Sequence, residues 1–121
     1  MLKRILLVFI FCLFIFIETA NAQKNYVQGI KILSKPSPTY TDEARKKNVS
    51  GWVQLRIAFK ANGEIGEIIY VKESSKKKKL TRYGLVAQAI EAAKKIKFEP
   101  TLLNGQQTDA SAIIEYAFTL Y

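Results

Sequence analysis

The chain of 121 residues contains no histidine, and its single cysteine is Cys12. Histidine is the usual general base near neutral pH and the commonest metal ligand in proteins. No glycine-rich phosphate loop occurs either. These absences exclude His/Cys zinc sites, Ser-His-Asp hydrolases and P-loop nucleotide binding. We therefore expect no cofactor and no metal, and the sequence does not predict an enzyme.

Two short segments have residues that could act in catalysis, but each fits another role better. Glu64 and Glu67 closely follow a predicted hairpin turn, where solvated carboxylates are commoner than an acid–base pair. Ser74 and Ser75 precede a run of lysines, but a mobile lysine is a poorly positioned base. A binding function is therefore favoured over a hydrolytic one.

The first 22 residues have the pattern of a Sec-type signal peptide. A basic start is followed by an unbroken apolar run over residues 5–17 and by Ala20-Asn21-Ala22. A membrane-spanning helix needs about 20 apolar residues, and Glu18 ends this run too early. We expect cleavage after Ala22 and export. The alternative is an uncleaved N-terminus that anchors the protein in a membrane.

The chain is poor in acidic residues, with 10 against 19 basic ones. Removal of residues 1–22 takes away two basic residues and one acidic residue, which leaves a net charge of +8. Such a charge would suggest nucleic acid in a cytosolic protein, but export argues against that partner. The densest positive run is expected to be a solvated loop, because its like charges repel one another, and binding to anionic surfaces such as envelope polymers is the alternative. It consists of Lys76, Lys77, Lys78 and Lys79.

A short helix and a β-hairpin are predicted in the first half of the exported part. Thr41 is the expected N-cap of the helix, with acidic residues in the first turn and basic residues in the last. Residues 51–60 alternate apolar and polar side chains, which is typical of a half-buried strand. Asn62-Gly63 predicts a tight turn before a return strand over 65–73. A bulge beside Gly66 is expected, because strict alternation fails in this strand.

A second helix and a closing strand are predicted in the last third. Apolar residues recur at helical spacing from Leu85 to Ile96, with Gly84 as the start and Pro100 as the limit. Residues 110–121 alternate again and are the predicted last strand. Upstream, weak alternation over 23–34 predicts a short lead-in strand.

This order of elements predicts an α+β fold: a three-stranded antiparallel sheet with two helices packed on one face, in the order α-β-β-α-β. A right-handed crossover brings the last strand beside the first, so that residues 51–60 are central. The last strand then lies at an edge that carries one charge, Glu115, and no proline. Such an edge suits the addition of an extended peptide. A homodimer edge and simple solvation are the alternatives.

Several features in this order resemble the C-terminal domain of TonB-family proteins. They extend from about residue 31 to residue 121. The features are Tyr40 to Arg45, Gly51-x-Val53, Asn62-Gly63, Val71-x-x-Ser74-Ser75, the 89–93 helix, Phe98-x-Pro100 and Asn104-Gly105. The resemblance implies a periplasmic module that receives force from the ExbB/ExbD complex and captures a motif of outer-membrane receptors by strand addition. The expected organisation is a signal peptide (1–22), a short lead-in (23–35) and a TonB C-terminal-like domain (36–121).

The resemblance also implies which residues bind the peptide. In the family the last strand accepts the peptide and the tyrosine segment lies near it. The implied site is Ser111, Ala112, Ile113, Ile114, Glu115, Tyr116, Ala117 and Phe118, with Pro38, Thr39 and Tyr40 as second-tier residues. A cleaved leader and a short spacer favour a stand-alone peptide-binding module. The alternative is an energy transducer that is anchored in the inner membrane, faces the periplasm and engages ExbB/ExbD through a retained N-terminus.

Overall fold

The computed structural model describes residues 26–27 and 29–120. In this part of the chain the helices are α1 (Asp42–Lys46), α2 (Lys79–Arg82) and α3 (Leu85–Ala93). The strands are β1 (Tyr26–Val27), β2 (Ile30–Ser34), β3 (Gly51–Phe59), β4 (Ile65–Glu73), β5 (Lys97–Glu99), β6 (Thr101–Leu103), β7 (Gln106–Thr108) and β8 (Ala110–Phe118). The predicted signal peptide lies outside the described residues. Among the described helices, none combines the length and apolarity that crossing a membrane requires.

A three-stranded antiparallel sheet in the order β4-β3-β8 forms the centre of the fold. Val53 of β3 lies opposite Glu73 on one side and opposite Tyr116 on the other. The hairpin makes β3 and β4 neighbours, and the crossover through α3 returns the chain to the free side of β3. The predicted α+β architecture, with β3 central and the last strand at an edge, is confirmed.

The core forms on one face of this sheet, because β3 alternates its side chains strictly. Val53, Leu55, Ile57 and Phe59 are buried, and the residues between them face the other side. Helix α3 packs across β3 and β4 and buries its own apolar stripe, which includes Leu85, Val86, Ala89 and Ala93. The fold is therefore a sheet with helices on its apolar face, as the sequence pattern predicts.

Strand β4 is irregular in two places. Ile57 pairs with Ile68 and Phe59 pairs with Ile65, so the register shifts around Gly66, where a bulge was expected. A second shift lies between the pairs of Gln54 and Leu55. Each bulge bends the strand and interrupts its ladder, so the β4 edge is broken into short regular pieces.

The second predicted helix ends earlier than expected. Helix α3 stops at Ala93, and Lys97–Glu99 form strand β5, which pairs with β2. Ile96 remains buried, but it lies beyond the helix. Phe98 packs edge-on against Phe59 with 4.8 Å between ring centroids. Pairing with β2 and this aromatic contact, both distant in sequence, override the local helical spacing.

A third helix forms at the edge of the lysine run, where only a loop was expected. Helix α2 begins at Lys79, although Lys76 to Lys78 stay outside it. The Glu73 carboxylate at the end of β4 accepts hydrogen bonds from the Leu80 and Thr81 amides at 3.0 and 3.2 Å. It thereby satisfies donors at the helix start, and the complete burial of Leu80 stabilises the turn further.

The expected cap of the first helix is confirmed. The Thr41 hydroxyl accepts a hydrogen bond from the Ala44 amide at 3.2 Å. It also donates to the Tyr83 carbonyl at 2.7 Å. One side chain therefore caps α1 and ties it to the segment that joins α2 and α3.

Candidate functional site

Strand β8 provides a long and regular sheet edge. It spans nine residues, and every residue of β3 from Gly51 to Phe59 has a partner on it without a register shift. Within the described part of the chain, β3 is the strand that pairs with β8. Among the described strands, the outer side of β8 is therefore an edge of the sheet.

The side chains of β8 divide cleanly between the two faces of the sheet. Ala112, Ile114, Tyr116 and Phe118 are buried against the core. On the opposite face the residues are exposed at Ser111, Glu115 and Ala117 and half-buried at Ile113. A slip of one residue would move the four buried side chains into water, so the core fixes which backbone groups face outward.

The direction of these backbone groups follows from Trp52 in β3. Its amide donates to the Ser74 hydroxyl at 2.9 Å, and its carbonyl accepts from the Ser74 amide at 2.9 Å. Trp52 therefore directs both groups toward β4, and its partner on β8 is Ala117. Because backbone direction alternates along antiparallel strands, Ser111, Glu115 and Ala117 direct their amides and carbonyls away from β3.

One side chain lies directly on this edge. The Lys35 ammonium donates to the outward carbonyl of Glu115 at 3.0 Å and lies 4.8 Å from the centre of the Tyr116 ring. Lys35 is itself exposed and comes from the segment after β2. Sequence reasoning missed it, because the contact joins residues 80 positions apart and has no local signal.

Tyr40 lies at the end of β8. Its ring packs edge-on against Phe118 with 5.7 Å between centroids, and its hydroxyl donates to the Val49 carbonyl. Burial raises the pKa of Tyr40, and the positive charge of Arg45, 5.7 Å from the ring centre, opposes that rise. Tyr40 therefore links α1 to the last buried residue of the edge strand.

Pro38 and Thr39 lie elsewhere. They line a shallow groove of about 70 Å³ against α3, together with Gln88 and Ala92. Of the three second-tier residues, the described contacts bring only Tyr40 to the end of β8. Pro38 and Thr39 are linked to this end of the edge only through the backbone, because they directly precede Tyr40.

A larger groove borders the edge on the solvent face. Its volume is about 410 Å³, and Trp52 and Ala117 lie side by side in it as cross-strand partners. Glu115 and Leu120 line it further along the strand. The sequence did not single out Trp52 as a site residue. Its place on the polar face of an alternating strand was the signal that it faces outward.

The other residues that the sequence suggested for catalysis or anion binding either stay exposed or form hydrogen bonds within the fold. Lys76, Lys77, Lys78 and Lys79 are all exposed around the start of α2. The Ser74 hydroxyl accepts from Trp52, and the Ser75 hydroxyl accepts from the Lys79 amide at 3.2 Å. Glu64 accepts a hydrogen bond from the Asn62 side chain within the hairpin turn. In the described residues no group of His, Cys, Asp and Glu is arranged to hold a metal ion.

The Tyr116 hydroxyl is the unusual polar group at this edge. The side chain is buried, and its hydroxyl has no hydrogen-bond partner among the described atoms. An unpartnered buried hydroxyl opposes folding by roughly 1–3 kcal/mol. Burial also raises the pKa of Tyr116 to about 12.

We expect Tyr116→Phe to leave the free energy of unfolding at pH 7 unchanged or to raise it by about 1 kcal/mol, because the ring stays and the unpartnered hydroxyl goes. Thermal denaturation measures this. The folded state holds the phenolic proton more tightly than an unfolded tyrosine, whose pKa is near 10. The unfolded state loses its proton first, so the free energy of unfolding is unaffected by this group below pH 10 and falls as pH rises toward 12. The variant should therefore lose less stability over that interval, and an equal loss in both proteins would contradict the prediction.

Comparison with known proteins agrees with this architecture. The family model for the Gram-negative bacterial TonB protein C-terminal matches residues 36–120. A solution NMR structure of the Pseudomonas aeruginosa TonB C-terminal domain has a similar fold, with a TM-score of 0.57. The two chains are 21% identical, and the alignment covers 76% of this chain and 87% of that one. No curated protein matches the sequence.

The matched region contains every element from α1 to β8, including the central sheet and the β8 edge. TonB C-terminal domains are periplasmic modules of Gram-negative bacteria that act in receptor interaction and energy transduction. They work with outer-membrane receptors and the ExbB/ExbD system. This chain belongs to the TonB C-terminal domain family.

Proposed function

We propose that this protein is an exported periplasmic module that captures extended segments of outer-membrane receptors by adding them to β8. The observation that supports this most is the nine-residue edge of β8, along which Ser111, Glu115 and Ala117 direct backbone groups away from the sheet. An incoming strand bonds to such groups through its own backbone, so affinity does not require a deep pocket.

The sheet has a second edge, at β4, but β8 fits strand addition better. The two register shifts of β4 interrupt its ladder, and bulges of this kind are a common way to blunt an edge. The register of β8 is continuous over all nine pairs. A partner strand on β8 would therefore meet the outward donors and acceptors of Ser111, Glu115 and Ala117 in one continuous register.

The groove beside the edge supplies side-chain selectivity. A strand added outside Ala117 places one of its own side chains next to this small residue, on the face where Trp52 is half-buried. An apolar or aromatic side chain of the peptide fits there. Tyr40 holds the end of β8 through Phe118 and thereby fixes the end of the binding edge.

Nuclear magnetic resonance titration tests the proposal. The probes are ten-residue peptides that copy extended motifs of outer-membrane receptors, added to isotope-labelled protein. We expect chemical-shift changes concentrated at Ser111, Glu115 and Ala117, with slower amide hydrogen exchange there. The same peptides with prolines at alternate positions are the control, because they lack the donors that pair with the edge. Spectra that stay unchanged at millimolar peptide, or that change only around α3, would reject strand addition.

Export and anchoring are a separate part of the proposal. We infer that residues 1–22 are removed, that 23–35 form a lead-in and that 36–121 act as a soluble binding domain. Mass spectrometry of the protein from the envelope decides this, because a mature chain that starts at Gln23 has lost the N-terminal apolar run. A retained Met1 would favour the alternative, an anchored transducer coupled to an ExbB/ExbD-type complex.

The lysine run supports a second candidate function, binding to anionic envelope polymers. Lys76, Lys77, Lys78 and Lys79 are all exposed, and none of them forms an ion pair with a described residue. Binding through this run should weaken steeply as salt rises and with Lys→Ala changes in it. Salt-insensitive retention on an anionic polysaccharide column would reject this function.

A further inference from the structure

We propose that Lys35 is a removable guard of the β8 edge, one that an incoming peptide must displace. This inference rests on the proposed strand addition and adds a residue that controls it. The Lys35 ammonium bonds to the Glu115 carbonyl at 3.0 Å, a normal hydrogen-bond length. Glu115 lies centrally among the outward-facing residues of β8.

The contact blocks the edge because it uses the acceptor that a partner strand needs. In either strand orientation, the amides of an added strand pair with the outward carbonyls of β8. The ammonium lies over the Tyr116 ring, whose side chain is on the buried face, while Glu115 directs its carbonyl outward. The lysine side chain therefore crosses the rim of the sheet, where the backbone of a new strand would lie.

The guard is also easy to displace. Lys35 is exposed, so its ammonium exchanges this bond for water at little cost. It forms no ion pair with a described carboxylate. An incoming backbone amide then replaces the ammonium at Glu115, and the remaining pairs along β8 supply the net gain.

The charge of the guard determines which partner it admits. A second copy of this chain carries its own Lys35 and a strongly positive surface, so edge-to-edge pairing would bring like charges together. A neutral or acidic extended peptide has no such cost, and an acidic one gains attraction from the displaced ammonium, which stays near the edge. Lys35 thus favours a foreign, non-basic strand over self-association.

Lys35→Met tests this, because methionine keeps an unbranched stem and removes the ammonium. Lys76→Met is the matched control, with the same loss of charge at an exposed site away from β8. The probe is a capped seven-residue peptide of alternating threonine and valine, titrated into each labelled protein. We expect Lys35→Met to bind it about three- to tenfold more tightly than the parent, as expected for loss of one exposed competing bond. The Tyr116 amide nitrogen should also shift in the free variant, because it shares a peptide group with the Glu115 carbonyl.

Self-association gives a readout that needs no peptide. Spectra over a protein concentration series should show stronger concentration-dependent shifts at Ser111 and Ala117 for Lys35→Met than for the parent or Lys76→Met. If no variant binds the peptide but Lys35→Met associates through β8, the guard is supported and peptide capture is not. Unchanged self-association, together with unchanged peptide affinity, would overturn the guard. A gain of equal size in Lys76→Met would also overturn it, because net charge alone would then explain the effect.

Discussion

Ala117→Pro is expected to reduce the affinity for an extended peptide at least tenfold while the domain stays folded. The Ala117 amide faces away from β3, so proline removes no bond within the sheet. It removes a donor to the incoming strand, and its ring fills the place of that strand's carbonyl. Isothermal titration calorimetry with receptor-derived peptides measures the affinity, and circular dichroism checks the fold.

Two controls separate the backbone effect from the side-chain effect. Ala117→Val enlarges the side chain but keeps the amide, so it should retain most of the peptide affinity. Tyr116→Pro removes an amide that bonds to β3 and should unfold the domain. If Ala117→Pro binds as tightly as the parent while still folded, the outer side of β8 is not the binding edge.

Gly51→Ala should cost about 2–4 kcal/mol of folding free energy, through backbone strain and overpacking together. Gly51 begins the central strand with a φ of +142°, a conformation that suits glycine. An added methyl group would overlap the Ser74 hydroxyl and lie 3.3 Å from the Cδ1 of Leu80. Ser74 cannot move away without losing its bond to the Trp52 amide. Urea denaturation measures the change.

Gly63→Ala is the matched control for this substitution. Gly63 also has a positive φ, +89°, but an added methyl group would meet no atom within 4 Å. Gly63→Ala should therefore lower the folding free energy only by the cost of placing alanine at a positive φ, roughly 1–2 kcal/mol. If the two variants are equally stable, the crowding between β3, Ser74 and Leu80 does not contribute.

Gly51 connects the stability of the domain to the proposed peptide binding. Gly51 lies opposite Phe118 in the β3–β8 ladder, and Phe118 packs against Tyr40. Strain at Gly51 therefore reaches the end of the edge strand. We expect Gly51→Ala to weaken peptide binding in proportion to the unfolded fraction, whereas Ala117→Pro acts on binding in the folded protein. Binding measured under strongly folding conditions distinguishes these effects.

Much of the fold is encoded locally. The alternation of β3, the hairpin at Asn62-Gly63 and the Thr41 cap each depend on residues within a few positions of one another. Period-two patterning at residues 110–121 likewise separated the two faces of β8. Ile114, Tyr116 and Phe118 on one face are buried, whereas Leu120 lies beyond the end of the strand and is exposed. The predicted position of β8 beside β3 followed from crossover handedness, a general rule that needs no details of packing.

The features that differ from prediction depend on partners far away in the chain. Strand β5 replaces the end of the predicted helix because β2 and Phe59 provide its contacts. Helix α2 forms because the Glu73 carboxylate from β4 satisfies its first amides. Neither arrangement has a local signal. Considered alone, the lysine run favours a loop over helix α2 because its charges repel, and the helical spacing up to Ile96 favours a longer helix α3 over strand β5.

The sequence by itself determined the sheet, its central strand, the edge position of β8 and the likeness to TonB domains, because periodicity and turn residues act over short distances. The tertiary structure decided which side chains lie along that edge. It placed Lys35 on the Glu115 carbonyl, Trp52 beside Ala117 and Tyr40 against Phe118. These contacts join residues 65 or more positions apart. They exist only because packing of the buried face fixes the register of β8 and thereby the direction of its outer backbone groups.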